Sequence, residues 1–258
     1  RAERIAELGG KAPPPAVAWK PKRDPATPRP PPPRPVPTLQ SLLVRFIAAN
    51  ICHVDELGDV LPPAVQHELA AVLCARRALG EAQLKLFPPT SATELILPDL
   101  HRIGEDAMLA ALGALRDNCP RLGLLHLGYC GRCIGAAAAA RIEELGALHS
   151  LALLGCHRLS TPSLISLMAA RGGGLRSLHL SANAQLSEEG IAAIAERCTQ
   201  LETLRLEDCA QLEPAALLPL RALSHVSTLS LRGIALLSDD VAVSLVRACA
   251  PTLRSLRL

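Results

Sequence analysis

Residues 122–130 read LGLLHLGYC, with leucine at the first, fourth and sixth positions and cysteine at the ninth. The same spacing returns in three further stretches, namely LHSLALLGC at 148–156, LRSLHLSAN at 175–183 and LETLRLEDC at 201–209. Three looser copies are ATELILPDL at 92–100, VSTLSLRGI at 226–234 and a truncated copy that begins at Leu253. Successive copies begin 25 to 30 residues apart, which indicates an internal repeat of one structural unit.

Each copy predicts a short strand followed by a helix. Thr161-Pro162 is typical of a helix start, and Ser187 and Ser238 each precede an acidic first turn. One such unit cannot bury its own apolar face, but stacked units can. The pattern resembles the cysteine-containing leucine-rich repeats of many ubiquitin-ligase receptors. We therefore expect an α/β leucine-rich-repeat solenoid over residues 91–258, a horseshoe of about seven repeats with parallel strands on its concave face and a truncated last repeat.

The Cys-x-x-Cys of Cys130 and Cys133 could hold zinc, carry redox chemistry or be purely structural. Cys130, Cys156 and Cys209 share the ninth repeat position with Asn183, and Cys119, Cys198 and Cys249 fall near predicted helix ends. A structural zinc site needs four converging ligands, and no second Cys-x-x-Cys supplies them, although His157 beside Cys156 is a possible extra ligand. We therefore interpret the cysteines as small buried residues and predict no metal and no cofactor.

Composition and motifs argue against several functional classes. Residues 1–37 contain eight basic and three acidic residues, and the remaining chain contains 19 basic and 21 acidic residues. The repeats are thus near neutral, so we expect no specific nucleic-acid binding from them. No apolar run is long enough to span a bilayer. The chain also has no P-loop and no Gly-x-Ser-x-Gly, and HELAA at 67–71 lacks the second histidine of a zinc-protease motif, so an enzyme is not expected.

The two ends of the chain have different characters. Residues 11–37 contain 12 prolines, which predicts a disordered, Pro-rich, basic tail over residues 1–37. An SH3-ligand pattern at 29–35 and the basic cluster at 20–23, which could be a nuclear signal, are alternatives to a plain linker. The absence of an initial Met and the stop within a repeat suggest a segment of a longer protein. We expect the unfinished last repeat to expose an apolar edge that favours association.

Residues 38–90 predict a helical module that caps the first repeat. The stretch TLQSLLVRFIAANI has an apolar stripe at helical spacing after Thr38, a plausible N-cap. The stretch LPPAVQHELAAVLCARRALG begins with Pro63 near its first turn and ends at Gly80, which indicates a second helix over this range.

The strand register selects residues that face outward over the concavity. Because side chains alternate along a strand, the third, fifth and seventh repeat positions should face a target. This surface should include an early apolar patch beside Tyr129 and a later charged region, together offering seven candidate target-binding residues: His126, Tyr129, His179, Arg205, Glu207, Arg232 and Arg257. A target with an acidic end would suit this gradient. The alternative is that the charges are merely solvated, with Glu207 and Arg232 paired across adjacent strands.

The helical module adds a second resemblance. Thr38-Leu39-x-x-x-Leu43-x-x-x-Ile47 is similar to the elongin-C-binding box of cullin-ligase receptors, with Leu43 in place of the usual Cys, and Leu61-Pro62-Pro63 resembles the opening of an F-box or a cullin-selecting box. The resemblance implies that five residues bind the adaptor: Leu39, Leu43, Ile47, Leu61 and Pro62. Helix capping alone also explains both stretches.

The order of the parts resembles the leucine-rich-repeat subunit of the global-genome nucleotide excision repair complex. That resemblance implies a non-catalytic substrate-receptor or adaptor subunit of a cullin-type ubiquitin ligase, with elongin C or an F-box adaptor, a cullin, a protein target and a Swi/Snf-type ATPase as partners. It implies nuclear localisation, with cytoplasmic as the alternative. The alternative function is a generic leucine-rich-repeat interaction scaffold with no ligase role.

Overall fold

The computed structural model describes residues 36–57, 61–87, 92–234 and 238–258. The prediction of a disordered tail over residues 1–37 therefore lies almost entirely outside the described residues. Within them, strands from successive repeats form one parallel sheet, ordered as in the chain. The strands are β1 (Glu94–Leu97), β2 (Leu124–Leu127), β3 (Ser150–Leu154), β4 (Ser177–Ser181), β5 (Thr203–Glu207), β6 (Thr228–Ser230) and β7 (Ser255–Arg257).

Three helices precede β1, namely α1 (Leu39–Ala49), α2 (Pro63–Ala75) and α3 (Glu81–Leu84). The helices that connect the strands pack beside one another on the face of the sheet opposite the concavity, and they are α4 (Glu105–Asn118), α5 (Ala136–Glu143), α6 (Thr161–Arg171), α7 (Glu188–Arg197) and α8 (Asp239–Cys249). Short 3₁₀ helices span Ile51–His53, Gly172–Gly174 and Pro214–Ala222. In the described ranges, none of the helices has the length and apolarity needed to cross a bilayer. The α/β solenoid predicted from the repeat is confirmed.

The leucines of the repeat form continuous columns in the core. Leu125, Leu151, Leu178 and Leu204 occupy the fourth repeat position, and each pairs with the next across adjacent strands. All four are almost completely buried. Because burying a leucine side chain contributes about 1.5–3 kcal/mol, these columns account for much of the stability of the stack.

The turn after each strand uses one backbone conformation repeatedly. At the eighth repeat position, φ is 47° at Tyr129, 71° at Gly155, 50° at Ala182, 56° at Asp208 and 74° at Gly233. A left-handed residue turns the chain out of the strand, so that the ninth residue points into the core. Non-glycine residues in three of the five turns show that the stacked repeats enforce this conformation at a cost in strain.

Two local features differ from the expected strand–helix unit. After β5 the chain forms a 3₁₀ helix rather than an α-helix, because Pro219 lies inside it and cannot donate the backbone hydrogen bond of an α-helix. The helix α2 ends at Ala75, and Arg77 adopts a left-handed φ of 54° just beyond it. The predicted end at Gly80 was therefore wrong, and Gly80 instead precedes α3.

The N-terminal helices cover the start of the sheet. The hydroxyl of Thr38 accepts a hydrogen bond from the backbone N–H of Ser41 (3.2 Å), which confirms the predicted N-cap of α1. Helix α2 packs against α1 on one side and β1 on the other. Its Leu69 and Leu73 are buried, so α2 continues the apolar core beyond the first repeat.

Candidate functional site

The concave face, defined here as the third, fifth and seventh repeat positions of β1–β7, carries most of the predicted target-binding residues. Its fifth-position column runs Ile96, His126, Ala152, His179, Arg205, Ser230 and Arg257, paired strand to strand. Glu207 and Arg232 occupy the seventh position. Tyr129 lies in the turn after β2, where its side chain is exposed. These residues therefore lie on the same side of the sheet or at its rim.

Glu207 is the centre of a polar cluster on this face. Its Oε1 accepts hydrogen bonds from Arg205 Nε (3.1 Å) and from the hydroxyl of Ser230 (2.8 Å). Its Oε2 lies 3.8 Å from Nε2 of His179. Burial opposes ionisation of Glu207, but the Ser230 hydroxyl and the nearby cations outweigh it, so the pKa of this carboxyl is lowered. Glu207 is thus a largely buried carboxylate that holds Arg205 in place.

The two concave histidines are biased toward their neutral form. Burial lowers the pKa of His126, and the nearby Arg205 guanidinium lowers it further. Burial and Arg205 also lower the pKa of His179, although Glu207 opposes the shift. Nε2 of His179 is buried and has no hydrogen-bond partner. At neutral pH this nitrogen is therefore an unused hydrogen-bonding group beside two charged side chains.

The other concave cations are more exposed. Arg232 approaches Asp208 at 3.9 Å with both side chains largely in solvent, and Arg257 is exposed on β7. No salt bridge joins Glu207 to Arg232 among the described residues, so the alternative pairing considered from the sequence is wrong. Exposed pairs of this kind contribute little to stability, so Arg232 remains accessible to a ligand.

A row of hydroxyls lies beside the cations. The third repeat position is occupied by Ser150, Ser177, Thr203, Thr228 and Ser255 on five successive strands, all half-buried. This hydroxyl row passes across β3–β7 at one residue per strand, about 4.8 Å apart. These hydroxyls were not among the predicted site residues, although the third column of the aligned repeats contains the signal.

The cysteines of the repeats face the interior, whereas Cys52 in the cap is exposed. The Cys130 thiol lies within hydrogen-bonding distance of the carbonyl oxygens of Leu127 (3.3 Å) and Leu154 (3.4 Å) and contacts the Cys156 sulfur at 2.6 Å. The Cys133 thiol donates to the carbonyl of Cys130 (3.4 Å), and burial raises the pKa of Cys133 to about 12. In the described ranges, no three His, Cys, Asp or Glu side chains are grouped as metal ligands. Neutral thiols in these positions fill the core and satisfy backbone carbonyls.

A second candidate surface lies on α1. Leu39, Leu42, Leu43 and Phe46 are 72%, 48%, 51% and 67% exposed, and their i, i+3, i+4, i+7 spacing places them on one side of the helix. We call these four residues the α1 apolar face. Val44 and Ala48 hold α1 against the remainder of the cap. Exposure of four large apolar side chains on one helix is typical of a protein-binding surface.

The predicted adaptor-binding residues have different environments. Leu39 and Leu43 belong to the α1 apolar face, whereas Ile47 is partly buried against the core. Leu61 is half-buried, and Pro62 is exposed at the start of α2. Leu42 and Phe46 were not among the predicted residues, although the helical spacing of the apolar residues already contained them.

Comparisons with known proteins place this geometry among leucine-rich-repeat proteins. No family model matches the chain. The DNA repair protein rhp7 of Schizosaccharomyces pombe is 30% identical over 171 residues, which cover 66% of this chain and 30% of that protein. The chain thus spans less than a third of the length of this relative. The sequence similarity confirms the predicted resemblance to a DNA-repair protein.

Solved structures support the same fold. A crystal structure of a Rad7 and Elc1 complex in yeast matches with a TM-score of 0.62 at 20% identity, over 85% of this chain and 53% of that chain. The tropomodulin C-terminal domain of Caenorhabditis elegans has a TM-score of only 0.40 at 19% identity, over 46% of this chain and 79% of that domain, which is too distant to support an inference. The first of these matches confirms the leucine-rich-repeat solenoid.

Proposed function

We propose that this chain is a non-catalytic substrate receptor of a cullin-type ubiquitin ligase that acts in DNA repair in the nucleus. The α1 apolar face docks a ligase adaptor of the elongin C type, and the concave face holds a target protein. The observation that carries this proposal is the exposed cluster of Leu39, Leu42, Leu43 and Phe46 on a helix that is otherwise well anchored.

The similar proteins support both halves of the proposal. The relative rhp7 is a DNA repair protein, and Rad7 forms a complex with Elc1 in the solved structure of similar fold. We extend a partner of this type to the present chain because an amphipathic helix with an exposed apolar side can enter a hydrophobic groove. The cullin and a Swi/Snf-type ATPase follow from the resemblance of the whole arrangement and complete the proposed assembly.

The mechanism requires no chemistry from this chain. A target on the concave face and a conjugating enzyme carried by the ligase are held in one assembly, so the effective concentration of an acceptor lysine rises. A rigid stack suits this task, because its core leucines fix the distance between the docking helix and the target-binding strands. We therefore expect the chain to contribute only by positioning the target near the conjugating enzyme.

The test is a binding measurement between the purified chain and purified elongin C, with an F-box adaptor as a second probe. We expect elongin C to bind and the double variant Leu43→Ala, Phe46→Ala to lose at least about tenfold in affinity, because truncation of two exposed anchors removes apolar contact area. Val243→Ala is the matched control, since Val243 is an exposed apolar residue on the distant helix α8.

Each outcome is informative. Binding of the F-box adaptor instead of elongin C would move the docking site to another ligase class. If the chain bound neither adaptor while remaining folded, the ligase role would fail and the interaction scaffold would remain. Equal losses for the α1 variant and for Val243→Ala would show that the α1 apolar face is not the docking site.

A further inference from the structure

The fifth-position column of the concave face has a small residue between two larger ones, and we call the space above this small residue the recess. Ala152 on β3 lies between His126 on β2 and His179 on β4, in the same column. Strands are about 4.8 Å apart, so the two imidazoles flank the alanine methyl across roughly 10 Å. Ser150 and Leu154, both half-buried, occupy the two ends of the recess on β3 itself. A side chain from outside the protein could enter above Ala152.

The groups around this recess are suited to an anion. Arg205 lies on the strand after His179, and its guanidinium influences both histidines. Arg205 donates to Glu207 through Nε, so the N–H groups of its two terminal nitrogens can bind a ligand. Nε2 of His179 is buried without a hydrogen-bond partner. That nitrogen is shielded from solvent and faces Oε2 of Glu207 at 3.8 Å, so a ligand would meet His179 through its other ring nitrogen.

We propose that this recess binds an acidic side chain of the target protein, with its carboxylate held by His126, His179 and Arg205 and the flanking peptide running along the hydroxyl row. The inference rests on the proposed role of the concave face as the target-binding surface, and it specifies the chemistry of that target. Ser177 and Thr203 flank the recess on the next strands, and their hydroxyls can donate to carbonyls or accept from backbone N–H groups.

Charge and composition favour an acidic peptide over a nucleic acid. Arg205 on β5, Arg232 after β6 and Arg257 on β7 outnumber the neighbouring carboxylates of Glu207 and Asp208, which leaves an excess of one positive charge at this end of the face. Single-stranded nucleic acids are usually held by aromatic stacking platforms as well as cations. Strands β1–β7 contain no aromatic residue apart from the two histidines, and Tyr129 lies in a turn. An acidic segment needs only the cations and hydroxyls that are present.

The test uses a fluorescent oligoglutamate peptide as the probe and measures its anisotropy with the full chain. We expect saturable binding, none with oligoglutamine of equal length, and a loss of about tenfold for Arg205→Gln, because charge-assisted hydrogen bonds to a carboxylate are lost. Arg247→Gln is the matched control: it removes the same charge from an exposed position on α8 and should leave affinity unchanged. His126→Gln should weaken binding less than Arg205→Gln does.

A second readout does not depend on the stability of any variant. The imidazole NMR signals of His126 and His179 should shift when oligoglutamate is added to the wild-type chain, while those of the exposed His225 should not. Equal losses for Arg205→Gln and Arg247→Gln, or unmoved His126 and His179 signals, would overturn the proposal. Displacement of oligoglutamate by a single-stranded DNA oligonucleotide at lower concentration would favour a nucleic-acid ligand and also overturn it.

These results are separable from the ligase proposal. Elongin C binding depends on the α1 apolar face and is measured without the peptide. Peptide binding without elongin C binding would leave the acidic-target site intact and remove the ligase role. Elongin C binding without specific peptide binding would remove only the site above Ala152.

Discussion

Helices α1 and α7 have the same kind of amphipathic pattern but opposite outcomes. In α7, Ile191 and Ile194 are buried against the sheet and the acidic first turn faces solvent. In α1, the buried contacts are made by the smaller Val44 and Ala48, while four larger apolar residues point outward. Burial of each of those residues would contribute about 1.5–3 kcal/mol. Helix α7 therefore uses its large apolar residues for folding, whereas α1 leaves four of them available to a partner.

Two leucine truncations, one in the repeats and one on α1, should show the largest difference in stability. Leu204→Ala in the column of repeat leucines should lower the free energy of unfolding by about 2–5 kcal/mol, because Leu204 is fully buried and its removal leaves a cavity. Leu43→Ala on α1 should change it by less than about 0.5 kcal/mol, because the side chain is half-exposed. Chemical denaturation of both variants measures the difference.

The binding data should show the reverse order. Leu43→Ala should lower the affinity for elongin C. The Leu204→Ala variant should bind elongin C with unchanged affinity at temperatures at which it remains folded. A loss of several kcal/mol for Leu43→Ala would mean that the α1 apolar face supports the fold itself, and the contrast with α7 would disappear.

The same contrast explains what the sequence could predict. The columns of leucine and cysteine follow from spacing, because a stack with one strand per repeat places equal repeat positions in register. The repeat spacing thus correctly predicted that His126, His179 and Arg205 lie in one column. The exposure of Leu39 and Leu43 was harder to predict, because an amphipathic helix pattern does not indicate whether another part of the chain covers the apolar side of the helix.

Other details depended on contacts between repeats that no single repeat reveals. Glu207 accepts hydrogen bonds from the Arg205 and Ser230 side chains, so the pairing with Arg232, which the sequence offered as an alternative, was wrong. Pro219 converts one helix to a 3₁₀ segment, although the repeat pattern around it is intact. The unpaired Nε2 of His179 is a consequence of packing and cannot be read from the sequence.

Substitutions in a repeat turn and at the end of α2 should have smaller effects on the free energy of unfolding, and these effects should have opposite signs. Gly155→Ala should destabilise the chain by about 1 kcal/mol, because φ is 71° there while the added Cβ would meet Tyr129 Cα at an ordinary 3.5 Å. Arg77→Gly in the cap should stabilise by up to about 1 kcal/mol, since Arg77 bears the same strain at 54°. Thermal unfolding would reveal the opposite signs. Destabilisation by both substitutions would show that the Arg77 side chain contributes more than its backbone strain costs.

The smallest expected effect is a pH dependence of stability that comes from the concave face and not from the α1 apolar face. The pKa values of His126 and His179 are lowered in the folded chain, by burial and by Arg205, below the value of about 6.5 expected when unfolded. Between these values the unfolded chain binds more protons, so the stabilising contribution is fully present above about pH 6.5 and is lost as the pH falls through the lowered folded values. Denaturation at a series of pH values should show stability decreasing on acidification, with a shallower slope for the double variant His126→Gln, His179→Gln.

The α1 apolar face contains no titratable side chain among Leu39, Leu42, Leu43 and Phe46, so the double histidine variant should bind elongin C as the wild type does at every pH at which both are folded. This result would assign the pH response to the concave face alone. An unchanged stability slope in the double variant would instead mean that the protons are taken up elsewhere. A change in elongin C affinity would mean that the concave face and α1 are energetically coupled, and the functional separation between repeats and cap would have to be abandoned.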